Sequence, residues 1–198
     1  MHRFIKILTC YLLLSVLSAA PAQSIQLELS EKDIKDALEY GNSRRELSHP
    51  EVLEVWRVNL GYGVGSATVI TPFGNLAILS KEMSRRSREP SEGEIKKTLS
   101  ENRGKLVFGC SIYGDDAEFA DEYKAVLMYK DKKLEPSEKE VPASAEYTRS
   151  FPDSPRYWAL CFYKFDIPDL DPKAKVTLIL KNGDGKKLSF PFNLAKLR

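Results

Sequence analysis

Histidine, cysteine and tryptophan are scarce in this chain of 198 residues, with two, three and two copies. His2 falls in a leading segment read below as removable, so only His49 remains. A lone imidazole excludes multi-histidine metal centres and paired-histidine catalytic devices. Excess charge is also lacking. Thirty Lys and Arg face 28 Asp and Glu, and Arg3 and Lys6 of the leading segment account for the difference. The neutral remainder does not suit a nucleic-acid binder that relies on bulk positive charge. There is no internal repeat and no low-complexity tract. Beyond residue 22 no apolar run approaches the ~20 residues that cross a bilayer, so a membrane-spanning chain is not expected. What is present, 42% hydrophobic and 29% charged residues, is the composition of an ordinary globular domain. A chain of this size buries enough surface to fold without a metal or disulfide staple.

The leading segment carries the clearest signal. Arg3 and Lys6 open it, Ile7 to Leu17 is almost wholly apolar, and Ala20-Pro21-Ala22 supplies small residues at alternate positions. This order describes a secretory signal peptide over 1–22, with cleavage after Ala22. The expected location is the periplasm or the exterior. Two cysteines, Cys110 and Cys161, then remain. In an oxidising compartment such a pair can form one disulfide. Both lie on apolar alternating faces, where a free cysteine also serves as a small buried apolar group. Sequence alone leaves both readings open.

The pattern divides near Gly104. Before it, helical signals dominate. Ser30 with Asp33 starts a helix for which Gly41 is the expected stop. His49-Pro50 enters a shorter one, and Thr71-Pro72 caps a third. Ser91 with Glu94 forms a capping box for the fourth. After Gly104 the apolar period becomes two. Strands are expected at Lys105 to Tyr113, Tyr123 to Lys130, Tyr157 to Ile167, Ala174 to Lys181 and Lys187 to Leu194. Pro191 cannot donate to a ladder, so the last strand is expected to be an edge or to be paired on one side there. The expected fold is α+β: a helical N-terminal region, 23–104, packed on a C-terminal antiparallel immunoglobulin-like β-sandwich, 105–198.

Several motifs suggest chemistry without completing it. Gly61-Tyr62-Gly63-Val64-Gly65-Ser66 lacks the Lys of a phosphate loop and precedes a β-branched run rather than a helix. Gly65 to Pro72 looks like the early strand of trypsin-like serine proteases, but no His follows it and no Gly-Asp-Ser-Gly occurs. The acids Asp115, Asp116, Glu118, Asp121 and Glu122 lack the spacing of a calcium loop. No catalytic, cofactor-binding or metal-ligating residue is assigned. Lys81, Arg85, Arg86 and Arg88 end the third helix, where cations complement the helix dipole or meet an anionic polymer. Tyr147, Phe151, Tyr157 and Trp158 gather around a proline-rich connection. Arg85, Arg86, Arg88, Tyr147, Phe151 and Trp158 form the candidate binding surface.

Thr71-Pro72-Phe73-Gly74-Asn75-Leu76-Ala77, Glu39-Tyr40-Gly41, Lys175-Val176-Thr177-Leu178 and Phe190-Pro191-Phe192-Asn193-Leu194 resemble an uncharacterised family of exported bacterial proteins. The resemblance implies export and a shared fold, and brings no activity or functional residue. The expected function is that of a non-catalytic binding or assembly protein of the bacterial cell envelope. Its partner would be another envelope protein or an anionic envelope polymer. The alternative is a carboxylate- or metal-dependent extracytoplasmic hydrolase.

Overall fold

A computed structural model describes residues 25–197. The signal peptide expected at 1–22 lies outside the described residues. The chain is α+β, with helices and two antiparallel sheets, neither closed into a barrel among the described residues. Its helices are α1 (Glu31–Ser43), the short α2 (His49–Val52), α3 (Pro72–Arg85) and α4 (Glu92–Ser100). Local chemistry accounts for their starts. Ser30 and Asp33, and Ser91 and Glu94, form reciprocal capping boxes, and Thr71 Oγ1 accepts the Gly74 amide at 3.0 Å.

The strands are β1 (Arg57–Asn59), β2 (Gly65–Ile70), β3 (Lys105–Gly114), β4 (Lys124–Tyr129), β5 (Lys132–Leu134), β6 (Glu138–Glu140), β7 (Glu146–Tyr147), β8 (Tyr157–Asp166), β9 (Lys175–Lys181) and β10 (Lys187–Asn193). The first sheet runs β1-β2-β3-β8-β6, with β7 also on β8, and the second runs β10-β9-β4-β5. The five strands expected from alternation are all present, and the Pro191 strand is at an edge.

Two expectations need correction. The stretch 23–104, expected to be mostly helical, also contributes β1 and β2, and β2 pairs along its whole length with β3. One sheet therefore spans the division expected at Gly104. The β-branched residues of Thr68-Val69-Ile70 favour a strand. The glycine-rich segment before them is the β1–β2 hairpin loop, with Gly61 and Gly63 at φ of 107° and 77°. Gly41 does not stop α1. It lies buried within it, where a β-carbon would stand 2.0 Å from the Ala77 carbonyl oxygen of α3.

The inward faces of the two sheets share one core. Leu106, Phe108, Cys110 and Ile112 of β3 and Cys161, Tyr163 and Phe165 of β8 meet Leu178, Leu180, Phe190 and Phe192. Phe108 of the first sheet lies 5.4 Å, ring to ring, from Phe192 of the second. Trp56 and Phe73 extend this core towards the helices, where both meet Tyr40 of α1 in edge contacts.

A groove on the outer face of the first sheet

Alternation along β3 and β8 sends every second side chain away from the core. The ladder places Val107 opposite Lys164, Gly109 opposite Phe162, Ser111 opposite Leu160 and Tyr113 opposite Trp158. On the other side of β3, Ile70, Thr68 and Ser66 of β2 stand beside Val107, Gly109 and Ser111. Small side chains thus occupy the middle of the face, and large ones its flank on β8. The result is a groove of about 690 Å³ with more apolar than polar lining. His49, Pro50, Leu53 and the α3 residues Asn75 and Ile78 complete its walls. Leu160 remains 44% exposed, and Phe162 and Trp158 are half-buried.

The charges of the groove fall into two kinds. Lys164 is occupied, 3.0 Å from Glu138 and 2.8 Å from Glu140. These carboxylates raise its pKa, Glu140 first, while Lys105 and then Lys164 lower that of Glu138. Arg57 differs. Its Nη2 donates to Ser66 Oγ at 2.9 Å, and no carboxylate of the described residues pairs with it. A half-buried guanidinium at an apolar surface, bound by one neutral hydroxyl, retains donors for a further acceptor.

His49 stands at the rim, with Nε2 2.8 Å from Glu82 Oε1. Glu82 also accepts from Lys81 at 2.9 Å. Lys81, read from sequence as part of the basic end of the third helix, is 2% exposed and held by Glu82. The Lys81 hydrogen bond, then that of His49, pulls the Glu82 pKa to about 2. Two carboxylates, Glu101 and Glu140, reach the groove, and Glu140 is engaged by Lys164. Among the described residues, no three His, Cys, Asp or Glu side chains cluster as a metal site would require.

The residues expected to form one binding surface are dispersed. Trp158 lines the groove. Tyr147 lies 4.3 Å, ring to ring, from Phe151 and 5.3 Å from Tyr157, and Phe151 meets Tyr157 edge-on; Tyr157 points to the opposite face from Trp158. Arg88 makes a two-point contact with Glu94 of α4 at 3.0 and 2.6 Å, which raises its pKa. Arg85 lies 3.9 Å from Glu82, and Arg86 caps the end of α3. Arg88 lines a separate polar cavity of about 570 Å³ between α1 and α3. Of the acidic run, Asp115 accepts from Ser154 Oγ and the Arg156 amide at 2.9 and 3.0 Å, pinning a loop. Arg57 and the outward residues of β3 were not candidates from sequence. The available signal was Trp158, Leu160 and Phe162, an apolar set alternating with the core-facing set on one strand.

No protein-family model matches the chain, and no curated protein matches it. Among solved structures, the archaellum periplasmic stator protein FlaG from Sulfolobus acidocaldarius is similar over 45% of this chain and 86% of its own. Identity is 12% and the TM-score 0.29, a likeness that carries no functional argument. No helix of the described residues is long and apolar enough to cross a membrane.

Proposed function

We propose that the protein is an exported, non-catalytic binding protein whose groove holds an apolar ligand bearing an acidic group. The observation that carries this reading is Arg57, a guanidinium in an apolar groove with Ser66 as its neutral partner. Ile70, Val107, Leu160 and Phe162 offer apolar contact, and Arg57 offers a charged fork to a carboxylate or phosphate. The volume suits a single small ligand. Export rests on the basic, apolar and small-residue order of the first 22 residues. The reading takes the two sheets as an immunoglobulin-like sandwich carrying helices, supported by the contact of Phe108 with Phe192.

The hydrolase alternative needs two acids that share a task. Glu140 is instead neutralised by Lys164, at 2.8 Å.

Dodecanoate and the uncharged dodecanol, below their aggregation limits, test the reading. Trp56 is buried in the core, so a ligand-dependent emission change reports Trp158. Dodecanoate should bind saturably, and at least ~10-fold more tightly than dodecanol, the effect of one charge-assisted hydrogen bond. Arg57→Ala should remove that preference. Equal affinity of the wild-type protein for the two probes, or no binding, contradicts the reading.

A further inference from the structure

We propose that Cys110 and Cys161 are the site of an oxidative modification, a cross-strand disulfide that pins the floor of the groove. The two residues are directly paired in the antiparallel β3–β8 ladder, on the face turned to the core. Both are fully buried, and both thiols are free in the structure. Residues directly opposite in such a ladder hold their β-carbons about 4.5–5.5 Å apart. A disulfide needs roughly 3.8 Å, so a small approach of the two strands suffices. Their neighbours are Gly109 and Ser111 on β3 and Leu160 and Phe162 on β8, all lining the groove. A bridge beneath them fixes the register on which that surface depends.

Burial sets the order of events. Desolvation raises both thiol pKa values, Cys161 to about 11, so the folded site holds little thiolate. The bond therefore forms during folding, by exchange with a disulfide oxidant. The first thiol loses its proton and attacks one oxidant sulfur, forming a mixed disulfide and releasing one thiol. The second Cys, as thiolate, attacks the protein sulfur of that bond and releases the other thiol. Two S–H bonds are lost and one S–S bond forms. Two electrons reduce the oxidant disulfide to its two thiols.

The proposal rests on the export reading for its oxidant, and two preparations separate the two. The first is the full chain carrying Cys10→Ser, which leaves Cys110 and Cys161 as its cysteines, reduced, denatured and refolded with a mixture of reduced and oxidised glutathione. Alkylation under denaturing conditions should then modify neither cysteine. The mass should be two hydrogens below that of the reduced chain, and reductant should lower the melting temperature by roughly 10 °C. Two modified cysteines in that preparation overturn the proposal whatever the export route. The second preparation is protein recovered from the periplasm of an expressing bacterium. Gln23 as first residue together with a bridge supports both readings, and Gln23 with two free thiols overturns the disulfide. A product retaining Met1 contradicts export, while the refolded sample still decides whether the bridge forms.

Discussion

The ring of Phe162 lies across Gly109, so close that a β-carbon there would stand 3.1 Å from Phe162 Cε1. The pair forms one rung of the β3–β8 ladder, and the missing side chain on β3 deepens the groove. Gly109→Ala needs only a slight tilt of a half-exposed ring, and the gain in backbone restriction offsets it. Its stability should stay within ~1 kcal/mol of the parent. Gly109→Leu should place a side chain along the floor and weaken dodecanoate binding at least ~10-fold, about 1.4 kcal/mol. Unfolding curves and titrations on both variants check this pair of outcomes.

Gly41 makes a tighter approach. Its β-carbon would lie 2.0 Å from the Ala77 carbonyl oxygen, and backbone on both sides leaves no flexible group to yield. Gly41→Ala should force α1 and α3 apart and cost about 3 kcal/mol. Differential scanning calorimetry should show a fall of several degrees in melting temperature. An unchanged midpoint would mean that the two helices do not pack this closely.

Glu82 predicts a pH dependence of stability. Its carboxyl is held at about 2, against an ordinary 4.5, by Lys81 and His49. A carboxylate depressed in the folded state stabilises the fold fully above its unfolded pKa and loses that contribution as pH falls through the folded one. The relevant window therefore runs from about 4.5 down to about 2. Glu82→Gln should cost about 2 kcal/mol at neutral pH. Solvent screens the partly exposed carboxylate, but buried Lys81 loses its counter-charge. The difference between the two proteins in urea unfolding should close across that window as Glu82 itself protonates. A constant difference would remove Glu82 from the account.

Much of the fold is legible in the sequence, because its signals are local. Ser30 with Asp33, Ser91 with Glu94, and Thr71 before Pro72 start helices through hydrogen bonds that span three residues. Leu188, Phe190 and Phe192 declare a strand by alternation. β1 and β2 escaped because a short hairpin in a helical neighbourhood gains its stability from β3, far along the chain. Gly41 is ambiguous in sequence, because a helix stop and a close helix–helix approach both favour the smallest residue.

The groove was less legible for a related reason. Its floor combines Ser66 and Thr68, Gly109 and Ser111, and Leu160 and Phe162, from three strands that only the sheet order brings together. Arg57 is one of 30 basic residues, and that no carboxylate of the described residues pairs with it is a spatial property. Arg88, conspicuous in a basic run, is engaged by Glu94 six positions later.

Methyl-resolved NMR with dodecanoate tests the central claim most directly, because it locates the ligand as well as detecting it. The account predicts saturable shifts at Ile70, Val107 and Leu160, which line the groove, and none at Leu38, which lines the cavity between α1 and α3. In the Arg57→Ala protein the same methyls should need at least ~10-fold more dodecanoate to reach half of their full shift. Shifts centred on Leu38, or groove methyls that do not respond to dodecanoate in the wild-type protein, would contradict the assignment of this face as the binding site.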